Sequence, residues 1–270
     1  RTLDFCFDDF AGAQMAMWLA DCLEYQKNKG NLLSLDKKML LADYEQLMRR
    51  SENWRHVINP KTGWADGRHQ NRKWENNLDL VHRKSYITEG ATCHYTWYVP
   101  QNVEGLFQVI NNSGQNVITR LDRMFDEGLY WHGNEPCHQI AYLYNKAGAP
   151  WKTQQRIHHI LNTEYNDTPG GLSGNDDAGQ MSAWYMFSAI GFYPVCPATP
   201  YYYIGTPSFD KVTFNLENGR KFEIVAEGVD DENFYIQQVD LNGKSGYYLS
   251  HDDLLKGGKL SFRMGNSPKY

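Results

Sequence analysis

The chain has 270 residues, of which 41% are hydrophobic and 22% are charged, and both fractions are ordinary for a globular protein. This length is sufficient for one large domain or two smaller ones, each with a hydrophobic core. The formal net charge of -5 argues against the concentrated basic surface that nucleic-acid binding needs. The sequence contains no run of about 18 apolar residues, so it predicts no membrane span.

The cysteines and the first residues indicate no metal site, disulfide framework or signal peptide. The five cysteines are odd in number and form no CxxC pair, so they predict neither a zinc site nor a disulfide framework. The sequence opens on Arg1 and runs directly into a helical pattern without signal-peptide features. We therefore expect a fragment of a longer protein.

The first two thirds of the chain show helical periodicity. Apolar residues recur at helical spacing over residues 4–27, with an end between Lys27 and Gly30, and over residues 35–50, with Asp36 as N-cap. A loop of about thirty residues over 54–85 follows. Helical patterns resume at 92–111, 114–127, 136–148, 150–163 and 178–190. Short connections favour antiparallel neighbours, and thus part of an (α/α) toroid over residues 1–194.

From residue 195 onward the pattern changes to period two. Residues 201–204, 211–214, 221–225 and 235–239 are expected to form strands. Leu216-Glu217-Asn218-Gly219 and Leu241-Asn242-Gly243 predict hairpin turns. The fold class is therefore expected to be mainly α, with an antiparallel β module over residues 195–270.

Three polar stretches stand beside predicted helix starts: Thr88-Glu89-Gly90, Gly133-Asn134-Glu135-Pro136, and residues 170–180. Structural explanations exist for each. Glu89 fits a first-turn acid favoured by the helix dipole, Glu135-Pro136 fits a helix start, and Asn175 or Asp176 fits a helix cap. The glycines at 170, 171, 174 and 179 favour instead a tight loop with a functional role.

Together these stretches place carboxylates at three helix starts of one predicted array, around one expected mouth. Two carboxylates that face each other across a sugar are what hydrolysis of a glycosidic bond requires. Among the nearby histidines, only His138 is a candidate site residue.

A family resemblance follows from longer motifs. The run Gly174-Asn175-Asp176-Asp177-Ala178-Gly179-Gln180-Met181-Ser182-Ala183-Trp184, followed by residues 189–195, resembles the hallmark of glycoside hydrolase family 92. Supporting stretches are residues 3–15, 51–54, 95–97, 103–106 and 131–136. The resemblance covers essentially the whole chain.

The resemblance implies a calcium-dependent exo-α-mannosidase of the inverting type, with Ca2+ as cofactor. Its substrate would be a terminal α-linked mannose of mannan or N-glycans, in an α-1,2 or related linkage. Such enzymes combine an N-terminal β-sandwich with an (α/α)6 catalytic domain. The sandwich is missing from this chain and is its expected partner, so isolated activity is not expected. A periplasmic, cell-surface or secreted location is expected from the family.

Site roles carry over by motif position. The resemblance implies that Glu89 is the general acid and Asp177 the general base, with such carboxyl groups about 6.5 to 9.5 Å apart. The implied substrate contacts are Asn134, Glu135, Asn175 and Asp176. The implied calcium ligands are Glu135, His138 through its backbone carbonyl, and Asp177 through water.

The chain departs from the family pattern at two places. Asn175 stands where the family often has an acid. Ala91, Cys93 and His94 stand where it commonly has Asn, Trp and Gln, on the leaving-group side of Glu89. The retention of Glu89 favours an ordinary glycoside over a mannose phosphodiester, whose leaving group needs little protonation.

Two other functional interpretations of the sequence compete with the mannosidase interpretation. A non-catalytic carbohydrate-binding fragment would bind mannose with calcium but release no product. A lyase, or another hydrolase on a similar toroid, would require the match over residues 174–184 to be accidental.

Overall fold

The computed structural model describes residues 1–29, 35–75, 78–243 and 246–270. The chain folds as two units, Arg1–Asn116 and Val117–Tyr270. Residues 195–270 lie entirely within the second unit. The boundary predicted between residues 194 and 195 concerns sequence domains rather than these units, and it stays a prediction.

Two paired helices begin the first unit. Helix α1 spans Thr2–Asn28 and helix α2 spans Lys37–Ser51. The Oδ1 of Asp36 accepts a hydrogen bond from the N–H of Lys38 at 2.8 Å, which confirms the predicted cap. An ion pair of 2.9 Å between Asp9 and Arg50 joins the two helices. Gly30, the predicted end of the first helix, lies outside the described residues.

The predicted loop over 54–85 begins with a 3₁₀ turn, Glu52–His56. The described residues beyond it contain only isolated bridges, Ile58 with Ala65 and Arg68 with Trp74. The buried Trp54 anchors the start of the loop in the core of the unit. The prediction of a long irregular segment is confirmed for these residues, whereas residues 76–77 lie outside the described part of the chain.

The single helix predicted over 92–111 is wrong. The structure has helix α3 at Thr92–Tyr95, a 3₁₀ turn at Pro100–Asn102 and helix α4 at Val103–Asn112. Pro100 lacks an N–H and disfavours helical geometry in the residue before it, and Val99 accordingly has φ -132° and ψ 57°. Apolar residues recur at helical spacing on both sides of the break because the separate helix α4 also buries an apolar face.

The second unit starts with helices whose lengths differ from the predicted ones. Helix α5 spans Val117–Asp126, three residues later than predicted, because Gly114 has a left-handed φ of 81°. The predicted helix over 136–148 is wrong. It is divided into two 3₁₀ turns, Glu135–Cys137 and Ile140–Tyr142, and the short helix α6, Leu143–Lys146. Helices α7, Pro150–Thr163, and α8, Gln180–Ile190, follow.

The break in the 136–148 segment has a visible cause. In a continuous helix the carbonyl of His138 would accept from the N–H of Tyr142. Here that carbonyl accepts from the indole N–H of Trp184 at 2.9 Å, and the N–H of Tyr142 donates to Gln139. A tertiary hydrogen bond therefore replaces a helical one.

Seven strands and one short helix complete the second unit. They are β1 Phe192–Tyr193, β2 Tyr201–Ile204, β3 Lys211–Asn215, β4 Lys221–Glu227, β5 Tyr235–Leu241, β6 Tyr248–Ser250, helix α9 His251–Leu255 and β7 Gly258–Gly265. Among the described residues, one sheet has the order β1-β2-β6 and the other β3-β4-β7-β5. The predicted β module is confirmed. Its purely antiparallel character is wrong, because β4 and β7 pair in parallel.

One of the two predicted hairpins is confirmed. Residues 216–219 connect the antiparallel strands β3 and β4, and Gly219 has a φ of 78°. The turn at Asn242 and Gly243 also has positive φ values, 49° and 87°. It is not a hairpin, because β5 pairs with β7 whereas β6 pairs with β2.

The strands bury alternate residues, as their period predicted. In β4, Phe222, Ile224 and Ala226 are buried and join a core that also contains Phe262 of β7. The combination of helices and a C-terminal β module confirms the coarse fold class. Closure of an (α/α)6 toroid stays a prediction. Within the described part of the chain, none of the helices combines the length and the apolar character that a membrane span requires.

The cap of helix α2 gives a stability prediction. Replacement of Asp36 by Ala removes the acceptor for the N–H of Lys38 and should destabilise the first unit by about 1 kcal/mol. The urea midpoint of unfolding, followed by circular dichroism, measures this effect. Asp43→Ala, at an exposed position within the same helix, is the control. Equal midpoints for the two variants would contradict the role of the cap.

Candidate active site

Two loops of the second unit meet through their glycines. We call residues 131–135 loop A and residues 172–179 loop B. A Cβ at Gly133 would collide with the carbonyl oxygen of Ser173, and a Cβ at Gly174 would come within 2.8 Å of the Cα of Gly133. The backbones of the two loops are therefore in direct contact, and any larger residue at either glycine would separate them.

Loop B ends in an uncommon backbone conformation. Asp177, Ala178 and Gly179 have φ values of 48°, 57° and 99°, all in the left-handed region. For residues with a Cβ this region costs about 1 kcal/mol or more. The run explains why α8 begins at Gln180 rather than at the predicted residue 178. Such strain is concentrated at functional sites, and here it holds the exposed Asp177 clear of the helix.

The neighbouring Asp176 has a structural role. Its Oδ1 accepts from the backbone N–H of Ser182 at 3.1 Å and from the Ser182 hydroxyl at 2.8 Å. These two hydrogen bonds hold the pKa of Asp176 below its usual value. Asp176 thus accepts from a first-turn N–H of α8, as the capping interpretation expected, although the N-cap position itself is Gly179. Its role in substrate binding stays a prediction, as does that of the exposed Asn175.

Loop A presents oxygen atoms beside a 3₁₀ turn. Asn134 is buried, and among the described residues its Oδ1 has no hydrogen-bond partner. A buried amide oxygen without a donor is costly unless something else binds it. Glu135 begins the 3₁₀ turn and Pro136 follows it, which agrees with the predicted start of a helical segment, although the turn has only three residues.

A chain of hydrogen bonds fixes loop A to helix α8. The hydroxyl of Tyr165 donates to the carbonyl of Met181 at 3.1 Å, and it lies 2.6 Å from Nε2 of His132. Because the single hydroxyl proton of Tyr165 goes to Met181, Nε2 of His132 must carry a proton. Nδ1 of His132 is then the acceptor for the hydroxyl of Tyr130, also at 2.6 Å.

His138 is fixed in the same tautomer. Its Nε2 donates to the backbone carbonyl of His132 at 3.0 Å, so its Nδ1 is free to accept from Nε2 of Gln180 at 3.1 Å. Gln180 also lies 3.4 Å from the hydroxyl of Tyr193. Gln180 is the first residue of α8 and follows the left-handed run directly, so these bonds connect loop B to the buried core.

Burial keeps both imidazoles neutral. Desolvation lowers the pKa of His132 to about 3, and the neighbouring His138 adds to this effect. Desolvation also lowers the pKa of His138 to about 4, against the opposing effects of its bond to the His132 carbonyl and the negative charge of Asp177. Near neutral pH both rings therefore act as hydrogen-bonding elements without charge.

The sequence prediction missed several of these residues. His132 was not a candidate, although it lies at the centre of the hydrogen-bond chain, and Gln180, Trp184 and Tyr165 had no predicted role. Gln180 and Trp184 lie within the motif of residues 174–184, so the family resemblance could have indicated them as candidates. His132, His138 and Trp184 form one aromatic cluster, with ring centroids 4.3 to 6.3 Å apart.

Glu89 belongs to the first unit. It is exposed and precedes helix α3, whose N-cap position is Ala91. The interpretation of Glu89 as a first-turn acid is therefore wrong. Gly90 has a left-handed φ of 69°, and Nδ1 of His94 accepts from the N–H of Ala91 at 3.1 Å. The chain thus turns sharply directly after Glu89, which leaves the carboxylate in the loop.

The predicted calcium ligands are only partly supported by the donor chemistry. Among the described residues, no group of three or more His, Cys, Asp or Glu side chains could hold a metal ion. The unpartnered Oδ1 of Asn134 and the carboxylate of Glu135 are hard oxygen donors of the type that calcium prefers. The carbonyl of His138 already accepts from Trp184. Loop A therefore offers some suitable oxygens without a complete coordination shell.

Comparison with known proteins gives one family match over nearly the whole chain. The model described as the glycosyl hydrolase family 92 catalytic domain matches residues 1–266. An uncharacterised secreted glycosidase of Arthroderma benhamiae is 27% identical over 256 residues, which cover 84% of this chain and 33% of the relative.

Solved structures give the same result at the level of the fold. A family GH92 α-mannosidase from Bacteroides thetaiotaomicron has a TM-score of 0.86 and 38% identity, over 99% of this chain and 35% of its own. A family GH92 inverting mannosidase from the same species has a TM-score of 0.82 and 31% identity, over 99% and 37%. The chain thus spans about a third of the length of these relatives.

The contact between the two loops gives a second prediction. Gly133→Ala should push loop A away from loop B and destabilise the second unit by about 1 to 3 kcal/mol, because the new Cβ meets a rigid backbone carbonyl. Gly170→Ala is a matched control, since nothing lies within 4 Å of a Cβ there. Thermal unfolding of both variants measures the difference. A Gly133→Ala variant as stable as the control would contradict the close contact.

Proposed function

This chain belongs to glycosyl hydrolase family 92, and we propose that the protein carrying it removes terminal α-linked mannose from mannan or N-glycans with inversion of configuration. The observation that carries the proposal is the exposed carboxylate of Asp177, held by a left-handed run within a motif that the family match covers. The similarity to two mannosidases at more than 30% identity supports the choice of sugar.

Asp177 is the proposed general base. Its side chain is exposed, so water can reach it, and the left-handed run keeps the carboxylate from capping α8. In the reaction the carboxylate takes a proton from a water molecule as the oxygen of that water attacks the anomeric carbon. Attack from the face opposite the leaving oxygen inverts the configuration.

Glu89 is the proposed general acid. In its protonated form the carboxyl group donates a proton to the glycosidic oxygen as the bond to the anomeric carbon breaks. Its position in the loop before Gly90 supports this role, because no helix or capping interaction requires a carboxylate there. Proton exchange with solvent then restores both groups.

Loop A and loop B are proposed to bind the mannose ring. Asn134 and Glu135 would contact its hydroxyl groups, and the unpartnered Oδ1 of Asn134 supports such a contact. Asn175 is exposed beside the base and would add an amide to the same ring. Asp176 would act mainly by holding α8, since its carboxylate is already bonded to Ser182.

Calcium is the proposed cofactor. When bound, the ion would draw two sugar hydroxyl oxygens together and so favour the distorted ring of the transition state. Its proposed ligands are Glu135, the carbonyl of His138, and Asp177 through water, and further water molecules would complete the shell. An N-terminal β-sandwich domain of the same protein is the proposed structural partner. An α-1,2 or related linkage and an exported location are proposed, the latter supported by the secreted relative.

A second function is favoured by one specific observation. The chain spans about a third of the length of its relatives, and a fragment of that size can bind a glycan without turning it over. Calcium-dependent mannose binding without product release would distinguish this carbohydrate-binding alternative from the enzyme.

The catalytic roles predict the behaviour of two variants. In the full-length protein, Glu89→Gln and Asp177→Asn should each lower kcat on α-mannobiose by about a hundredfold or more, because proton transfer is lost. Mannose release from the α-1,2, α-1,3 and α-1,6 isomers measures this effect and identifies the linkage.

Exposed carboxylates away from the loops provide the controls. Glu45→Gln on α2 and Asp167→Asn before loop B change the same chemical groups, and both should keep full activity. Undiminished release by Glu89→Gln or Asp177→Asn would remove that residue from its role.

The cofactor proposal predicts a response to chelation. Treatment of the full-length protein with a chelator should abolish mannose release, and added Ca2+ should restore it, whereas Mg2+ should restore it poorly because it demands a smaller, more regular shell. Calorimetric titration of the chelated protein with Ca2+ gives an independent measurement. Full activity after chelation, with no heat of Ca2+ binding, would refute the proposal.

A further inference from the structure

The first unit contains a pocket of about 200 Å³ beside the loop that carries Glu89. Thr88 lines the pocket and directly precedes Glu89 in the chain. Four further residues matter for its chemistry: Asp66, Gly67, Arg68 and Tyr86. None of these four has a role in the site described above.

Asp66 provides a buried carboxylate with spare acceptor capacity. Its residue is 5% exposed, and its oxygens accept from Nδ2 of Asn59 at 3.2 Å and from the hydroxyl of Tyr86 at 3.5 Å. Among the ion pairs of the described residues, none includes Asp66. A carboxylate has about four acceptor positions, so two remain for a ligand that can donate hydrogen bonds.

Tyr86 provides a flat apolar surface at the same pocket. Its ring packs on Gly67, where a Cβ would lie 2.6 Å from Cε1 of the ring, and the residue is 41% exposed. One part of the ring is therefore supported by the backbone while another is open. Burial raises the pKa of Tyr86, so its hydroxyl keeps its proton and remains a donor toward Asp66.

The charges around the pocket select against an ionic ligand. The guanidinium of Arg68 bonds to the carbonyls of Arg72 at 3.1 Å and His56 at 3.4 Å, so it does not neutralise Asp66. Arg1 also lines the pocket, and together with Arg68 it disfavours a cation. The carboxylate of Asp66 disfavours an anion. A neutral ligand with several hydroxyl groups satisfies both conditions.

We propose that this pocket binds the leaving-group sugar of the glycan, with its hydroxyls donating to Asp66 and its C–H face against the ring of Tyr86. The inference rests on the proposed function, since it places the sugar beside the loop of the general acid. The pocket volume of about 200 Å³ leaves room for one sugar ring. Stacking of a C–H face on an aromatic ring and hydroxyl donation to a carboxylate are both suited to a pyranose.

Two substrates separate the pocket from the chemistry. The leaving group of α-mannobiose is a sugar, whereas the leaving group of α-mannosyl fluoride is a fluoride ion. In the full-length protein, Asp66→Asn should lower the ratio of kcat/KM for mannobiose to kcat/KM for the fluoride by about tenfold to a hundredfold, because hydrogen bonds to a charged acceptor are lost. Tyr86→Ala should lower the same ratio through loss of the stacking surface.

A glycine variant and a matched control support the assignment. Gly67→Ala should also lower the ratio, because its Cβ displaces the ring of Tyr86. Asp9→Asn removes a partly buried carboxylate of the same unit that pairs with Arg50 and does not line the pocket. This control should leave the ratio unchanged, and thermal unfolding of every variant shows that it is folded.

The outcomes distinguish the two proposals. If the wild type releases mannose and the ratio is the same in Asp66→Asn, the pocket does not bind the leaving-group sugar, whereas the proposed function stands. If the wild type hydrolyses neither substrate, the proposed function fails, and the leaving-group assignment fails with it. A lowered ratio in Asp66→Asn and Gly67→Ala, but not in Asp9→Asn, supports the pocket.

Discussion

The hydrogen bonds of His132 are the constraint on which the architecture of the second unit depends. They connect Tyr130, which directly precedes loop A, to Tyr165, which in turn bonds to helix α8 at Met181. The ring can make both bonds only as the neutral tautomer with its proton on Nε2. Its burial ensures that form, because a charged imidazole without a carboxylate beside it would be strongly disfavoured there.

This arrangement gives the proposed base a rigid support and an exposed end. Loop A and loop B touch through glycines, and the first residue of α8 bonds to His138. Asp177 stands at the transition between this ordered support and solvent. Enzyme sites commonly combine a fixed backbone with an accessible side chain, because positioning then costs little at the moment of reaction.

The sequence was most informative where local chemistry decides the structure. The cap at Asp36, the turn at Gly219 and the alternating burial of β4 follow from residue types and spacing alone. It failed where distant contacts compete with local ones. The carbonyl of His138 bonds to Trp184 instead of continuing a helix, and β4 pairs with the distant β7. The motif that contains the proposed base was visible as a run of residues. The support from His132 was not visible, because one of its two partners, Tyr165, lies 33 residues away.

The position of β7 has a consequence for how the chain acquires its fold. In the order β3-β4-β7-β5, the strand of this sheet that comes latest in the sequence lies between two earlier ones. Until Gly258–Gly265 has left the ribosome, β4 and β5 have no common neighbour, and each exposes an unpaired edge over an apolar face. The four-stranded sheet therefore closes late. A stop codon directly after Gly257 would leave every earlier strand of the sequence intact and yet delete one of the two inner strands of this sheet.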